Sequence, residues 1–437
     1  MIITVHLVGE LVNVQVNKIK KLQKIHNFPV LNSNMRYKRY TLADLEESAS
    51  QKKFNVVSFF SGGGGSSCGY KLAGGDMICV NEFQQVHADT YSSNFPHTPV
   101  IVDDIKKVTG KRIREIIGDV EVDILDGSPP CPPFSMSGTK QKGWGKEKMA
   151  YGFKQERIED LTFEQIRIVG ELKPKVVVCE NVKGLTMSYA SEYLKMMIAE
   201  FEKVGYTTDY QVLNGWEYGV PQKRQRVFIV SIRNDVADKV GINFLNFKSM
   251  VYPPPENENR AVIEDAIRDI QDDPKNIKEG EELCASMKKG AKYKWLRRLQ
   301  KNPERVVSVG DNVVKPWYEK LIDHRINMIE KIKGYSKPIP PAKFSFFQSR
   351  RVPWNQASHT LSEQGLKTSL AVHLHPEEDR GYTTYEAARI MTLPDDYKQT
   401  GSLNDRLARI GLMVAPMCLK HLAESIYENV LEPYARS

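Results

Sequence analysis

From residue 54 onward, short apolar runs alternate with amphipathic stretches, and each change of period marks an element. Phe54–Phe60 is a largely apolar run that enters a glycine cluster, the pattern of a buried strand. Asp76–Val80 and Val100–Val102 repeat it in shorter form. Val122–Leu125 leads into a proline-rich loop, Lys175–Cys179 ends at Glu180-Asn181, and Gln211–Leu213 and Val227–Ile232 complete the set. Ile158–Leu172 and Ser191–Val204 carry helical spacing between them. Strands and helices in alternation predict an α/β fold with a doubly wound, mostly parallel sheet.

The same pattern divides the chain. Residues 1–53 form a leader in which Val5–Val16 alternates loosely, as a strand pair would, and Thr41-Leu-Ala-Asp44 reads as a capping box opening a short helix. Regularity stops at Pro253-Pro254-Pro255 and helical spacing returns at Thr384–Met391 and Leu403–Leu431. The expected organisation is therefore a leader (1–53), a main domain (54–260), a second domain (261–351) and a C-terminal segment completing the main one (352–437).

Composition narrows the class. The 437 residues are 41% hydrophobic and 27% charged, which excludes a disordered or fibrous chain. Six cysteines stand far apart with no C-x-x-C pair, so a reducing, cytoplasmic setting is expected rather than a disulfide scaffold or a cysteine zinc site, and no metal is implied. Apolar runs fall far short of the roughly 20 residues a membrane helix needs. The net charge of +8 is concentrated: residues 271–351 hold 19 Lys+Arg and 10 Asp+Glu, a local +9, which leaves −1 for the remainder. Within that segment Lys294, Arg297 and Arg298 interleave with Tyr293 and Trp295, and Arg350-Arg351 closes it. A phosphate backbone rewards such a cluster by counterion release, and aromatics add stacking. This points to nucleic acid.

Ser61-Gly62-Gly63-Gly64-Gly65 follows one strand and precedes a helix, where glycines allow a tight turn and close ligand approach. Glu82 ends the next strand, placed to bind ribose hydroxyls, and Asp103-Asp104 follows the third, placed to accept from an adenine amino group. A dinucleotide fingerprint needs Gly or Ala at its last position, but here Ser67 or Cys68 stands there. The loop suits a nucleoside without a pyrophosphate better than NAD.

Pro129-Pro130-Cys131-Pro132-Pro133 ends the fourth strand, so the prolines hold the Cys131 side chain on a loop at the carboxyl edge where such sheets bind ligands. No histidine pairing marks a Cys-His protease. Glu180 ends the neighbouring strand; in a dry cleft its carboxyl would hold a proton near neutrality. Alternation puts Gln222, Arg224 and Arg226 on one side of a further strand.

In their order, these residues resemble the DNA cytosine-5 methyltransferase family: Phe59-Phe60-Ser61-Gly62-Gly63-Gly64, Glu82, Asp104-Ile105, Pro130-Cys131, Glu180-Asn181-Val182 and Gln222-x-Arg224-x-Arg226, then Arg380-x-x-Thr383-x-x-Glu386-x-x-Arg389 and Ile410-Gly411-x-x-Val414. The match covers about residues 54–260 and 352–430. Ser135–Gly143, with Ser137 and Gln141, resembles the family's mobile loop that closes over DNA. The departures are Pro132 where Gln is common, Leu412 where the last motif carries Asn, and Tyr385 where Arg is common.

The resemblance implies a methyltransferase using S-adenosylmethionine, held by Phe60, Ser61, Gly62, Gly64, Glu82, Asp104, Ile105, Pro130 and Val414. It implies that double-stranded DNA is gripped through Ser137, Gln141, Gln222 and the basic segment, which would be the target recognition domain. Catalysis would fall to Cys131, Glu180, Arg224 and Arg226. A bacterial or phage type is implied, acting as a monomer at the nucleoid, with a cognate restriction endonuclease as a separate partner. Methylation of RNA, a DNA-binding protein that has lost turnover, and a nicotinamide oxidoreductase are the alternatives.

Overall fold

The computed structural model describes residues 37–130, 148–150, 153–155, 160–187, 190–256, 260–288, 301, 303, 307–308, 349–367 and 372–437. Its centre is a seven-stranded sheet. The strands are β1 (Phe54–Phe59), β2 (Gly75–Glu82), β3 (Val100–Val102), β4 (Ile124–Gly127), β5 (Val176–Val182), β6 (Tyr206–Asn214) and β7 (Gln225–Arg233), in the spatial order β3-β2-β1-β4-β5-β7-β6. β1 to β5 run parallel; β7 is antiparallel to both β5 and β6. The mostly parallel, doubly wound sheet expected from the alternation is what forms.

Side chains of β1 alternate between two cores: Phe54 and Val56 face one, Val57 and Phe59 the other. The first core lies under the helices Gly65–Leu72 and Pro416–Ile426, and the second under Gly110–Ile117 and Asp160–Leu172. Burial on both faces explains why these strands read as apolar runs rather than as alternating ones. The chain winds outward from β1 to β3, then crosses back to β4, so the sheet's switch point lies between β1 and β4. The glycine loop and the proline loop leave the sheet at that point, where doubly wound folds bind ligands.

Two boundaries differ from the expected organisation. The helix Leu42–Ala49 carries the anticipated Thr41–Asp44 capping box, but Tyr37, Tyr40 and Leu45 belong to the first core, and Tyr37 donates to the Arg389 carbonyl at 2.6 Å. Residues 37–49 are thus part of the main body. So are Ala261, Ile263, Ala266, Ile267, Ile270 and Leu283, which pack into the same core although the second domain was expected to begin at 261. The Val5–Val16 strand pair lies outside the described residues.

The Arg380–Arg389 motif is a structural knot. Thr383 and Glu386 cap the helix Thr384–Ile390 reciprocally. Arg380, 2% exposed, spans Glu386 at 2.7 Å and Glu378 at 2.9 Å. Pairing holds the Glu386 carboxyl down at about 2 against the cost of its burial. Among the described residues no helix is long and apolar enough to cross a membrane, and no cluster of His, Cys, Asp and Glu forms a metal site.

Candidate active site

One pocket opens at the switch point. Phe60, Ser61, Gly62, Glu82, Asp104, Ile105, Pro130 and Val414 all line it, joined by Ser66, Phe83, Ser128, Leu161, Arg409 and Leu412. Its walls come from the glycine loop, the ends of the second and third strands and the last motif, so it is a cleft rather than a flat surface. β1 ends in two left-handed residues, Phe60 (φ 53°) and Gly62 (φ 54°), so the chain reverses over the strand end. Glu82 fixes the turn: one carboxylate oxygen accepts from the Gly62 N–H at 2.8 Å and the other from Gln84 N–H at 2.8 Å. A Cβ at Gly63 would press on the flexible Met413 and Arg409 side chains, lying 2.9 Å from Arg409 Cδ, so glycine leaves this wall room to pack. Gly64 stands behind the wall, N-capping the next helix at φ 98° against the Phe95 ring. Asp104 caps the turn Ile105–Lys107 by accepting from Lys106 N–H at 3.0 Å.

The polar groups left over test whether a nucleoside with an amino-acid tail fits. Ser61 Oγ, Ser128 Oγ and the Nε and Nη2 of Arg409 are buried without a protein partner, although all three residues line the pocket. Unpartnered donors and acceptors cost about 1–3 kcal/mol each until something satisfies them. Glycine backbone, an acid at the second strand end and unspent hydroxyls are a donor set matched to ribose and amino-acid groups.

The second half of the site adjoins it. Asn181 Nδ2 donates to the Pro129 carbonyl at 3.2 Å, tying the proline loop to the end of β5. Glu180, on the opposite face of the same strand, is 8% exposed and lies 3.0 Å from Arg226 Nε. The antiparallel register pairs Arg226 with Val182, which makes Glu180 its diagonal neighbour on one face. Glu180 Oε1 has no well-aligned hydrogen bond, so the contact is charge pairing with bonding capacity to spare.

Three expected site residues prove to be structural. Arg224 is 4% exposed and gives its guanidinium to the carbonyls of Leu361 (2.9 Å), Gly411 (3.3 Å) and Met413 (2.8 Å). Burial pushes its pKa down to about 9. Both terminal nitrogens brace the last motif against the sheet. Gln222, fully buried, accepts from Leu361 N–H at 2.9 Å and donates to Met391 Sδ, so it cannot face DNA. Arg351, also fully buried, donates to the carbonyls of His375 and Glu378 and pairs with Asp379 at 2.8 Å. It cannot meet a phosphate. Arg350 is half-buried on the short strand beside His373-Leu374. Cys131, Ser137, Gln141, Lys294, Arg297 and Arg298 lie outside the described residues.

Ser66, Phe83, Ser128, Leu161 and Arg409 on the pocket wall, and Asp126 bonded to the helix beneath it, escaped the sequence reading. Arg409 gives no signal in a motif that looks helical. Asp126 does give one, an acid inside the apolar run Ile124-Leu125-Asp126-Gly127.

Comparison with known proteins agrees with this geometry. The family model for C-5 cytosine-specific DNA methylase matches residues 54–428. The Type II methyltransferase M.XorII of Xanthomonas oryzae is 28% identical over 387 residues, covering 85% of this chain and 84% of its own. M.Sau96I of Staphylococcus aureus is 27% identical, covering 89% of this chain and 79% of its own. A prophage-encoded DNA modification methyltransferase of E. coli shares the fold, with a TM-score of 0.57 at 21% identity over 87% of this chain and 99% of that one. A match spanning nearly the whole described body, on a pocket and an acid–arginine pair at the same sheet edge, leaves one conclusion: this chain belongs to the C-5 cytosine-specific DNA methylase family and is a DNA cytosine-5 methyltransferase.

Proposed function

We propose that the chain methylates cytosine within one short sequence of double-stranded DNA, flipping the base out of the duplex, with S-adenosylmethionine as methyl donor. The observation that carries this reading is the Glu180–Arg226 pair, set beside the anchored Pro129-Pro130 turn and next to a pocket with unspent hydroxyls. Bound there, the cofactor would supply an electrophilic methyl group. Glycines 62 and 63 would admit it, Glu82 would take the ribose hydroxyls and Asp104 the adenine amino group.

C5 of cytosine is a poor nucleophile within a stacked base, so the residues must first extract and then activate it. The Cys131 thiolate would add to C6. Glu180 would hold N3 with its proton and Arg226 would bind O2, placing the displaced charge where opposite charge awaits it. C5 then takes the methyl group, loses its proton to a base, and Cys131 leaves, restoring the aromatic ring. The basic segment, with Lys294, Arg297, Arg298 and the exposed part of Arg350, would bind phosphates and read the target. The Type II names of the relatives support a modification role beside a separate endonuclease. A single asymmetric base needs no second subunit.

The test is transfer of labelled methyl from S-adenosylmethionine to unmethylated genomic DNA, with products mapped at base resolution. Label at C5 of cytosine in one short sequence supports the reading, and its loss in Cys131→Ala supports the nucleophile. Label in RNA, or transfer by Cys131→Ala, overturns the corresponding part.

A further inference from the structure

Asp126 is a charged residue where the sheet wants an apolar one. It is 2% exposed, in the fourth strand of a sheet covered on both faces. The parallel register sets it directly opposite Ser58 of β1, whose hydroxyl donates to Oδ2 at 2.8 Å. Tyr70, from the helix that follows the glycine loop, donates to Oδ1 at 3.1 Å. Ser66, in the first turn of that helix and on the pocket wall, lies close enough to the same carboxyl to favour its ionised form. From β5 the facing groups are Glu180, whose charge opposes ionisation, and the buried Cys179. One carboxyl therefore joins the strand that feeds the glycine loop, the helix leaving that loop, and the strand that feeds Pro129-Pro130.

We propose that Asp126 is a positioning residue, a latch whose ionised carboxylate holds the cofactor side of the site in register with the proline-loop side. The inference rests on the methyltransferase reading for what the pocket binds, but the latch itself is read from the two hydrogen bonds and the neighbouring Ser66. An ionised carboxylate accepts from Ser58 and Tyr70 together and would draw the neighbouring Ser66 hydroxyl proton inward. Ser66 then offers lone pairs to the pocket, where an ammonium group can donate to them. Protonation spends one of these acceptor positions and frees one donor.

Burial raises the Asp126 carboxyl to about 7, with Glu180 adding to the effect against the lowering by Ser58, Tyr70 and Ser66. The folded chain thus holds this proton more tightly than the unfolded one. The stability that results is full below about 4, is lost as pH rises towards 7, and leaves a standing cost above it. A latch that works when ionised weakens the fold at the pH where it acts, which a purely structural group would not do.

The experiment measures S-adenosylmethionine affinity by calorimetry from pH 6 to 8.5, and thermal stability without cofactor from pH 5 to 8.5, for the wild type, Asp126→Asn and Ser58→Ala. Wild-type affinity is expected to fall about tenfold from pH 8 to 6, following the loss of one charge-assisted bond. Asp126→Asn should bind weakly with no pH step, yet melt higher than the wild type at pH 8, an advantage that shrinks steadily as pH falls to 5. Ser58→Ala should keep the step and move it to higher pH. Tight binding by Asp126→Asn at pH 8, or a wild-type pH step that survives in it, overturns the latch. Absence of cofactor binding in the wild type would overturn the methyltransferase reading instead. The latch would then stand or fall on the stability difference, and a difference that does not change with pH overturns it. If Asp126→Asn does not fold, an unmoved step in Ser58→Ala does so.

Discussion

Arg226 and Glu180 meet across an antiparallel strand pair, Nε to Oε1 at 3.0 Å, Glu180 standing two residues along its strand from the one directly opposite Arg226. Parallel strands could not bring them together so simply. The reversal of β7 against β5 lets an acid at the end of one strand and an arginine at the start of the other share a single cleft. Removing either partner leaves a nearly buried charge uncompensated. Glu180→Gln and Arg226→Ala should each slow single-turnover methyl transfer by about 10²–10⁴-fold, the range of a lost acid–base or charge-stabilising group. DNA affinity should change less than about tenfold, because phosphates supply most of it. Equal losses in binding and turnover would place the pair outside the chemistry.

Arg224 should behave oppositely. Replacing it by Met leaves three buried carbonyls without their donor, at a cost of about 3 kcal/mol or more. Chemical denaturation should show the loss directly. At temperatures where the variant is folded, its turnover should fall only as far as cofactor affinity falls.

Acid should unfold the protein through three histidines. Burial is the main cause that lowers His359 to about 4, His373 to about 3 and His375 to about 4. His375 Nδ1 already accepts from the Glu377 and Glu378 N–H groups, so a proton there displaces both bonds. The unfolded chain takes these protons first as pH falls. Stability is therefore whole above about 6.5 and declines towards 4, each histidine costing up to about 1.4 kcal/mol per pH unit. Asp126 acts in the other direction over that range, but with one proton against three. A denaturation midpoint that does not fall between pH 6.5 and 5 would contradict this balance, and His373→Leu should reduce the slope by one proton.

Gly411→Ala is expected to destabilise by about 1–3 kcal/mol. Its Cβ would stand 2.5 Å from the Glu363 nitrogen and from the Ser362 carbonyl carbon, both backbone atoms with little room to yield. Since the neighbouring Leu412 lines the pocket, the shift should also weaken S-adenosylmethionine binding in calorimetry. Unchanged stability would mean that this contact is looser than its geometry.

Neutralising Arg297 and Arg298 together should make the slope of log affinity against log salt less negative by about 1.8 if both meet phosphates. Filter binding at several salt concentrations checks it, and an unchanged slope would turn the basic segment away from DNA.

What the sequence disclosed follows physical lines. Strands buried on both faces announce themselves as apolar runs, so six of the seven sheet strands were anticipated at nearly their observed positions, and only β6 extends well beyond the three residues read. The pocket was legible because its parts are local: glycines after a strand, acids at successive strand ends. Arg224, Gln222 and Arg351 were misread for the opposite reason. A polar side chain on a strand looks the same in sequence whether it faces a ligand or the backbone of another part of the fold. Burial decides between them, and burial is a property of the whole fold. Asp126 shows the reverse case, a polar residue in an apolar run whose oddity could be seen but whose partners could not.

One consequence concerns the order in which the protein is made. The pocket's first wall is built from residues 60–66 and its last from residues 409–414, and the helix Pro416–Ile426 packs so closely on Gly65–Leu72 that a Cβ at Gly69 would lie 2.7 Å from the Pro416 carbonyl. A growing chain therefore carries a complete glycine loop, both charged strand ends and the entire basic segment before it owns a closed cofactor chamber. The first wall exists early; the pocket is sealed only when the final stretch has left the ribosome. The pocket is whole only in molecules whose synthesis has run through to the helix Pro416–Ile426.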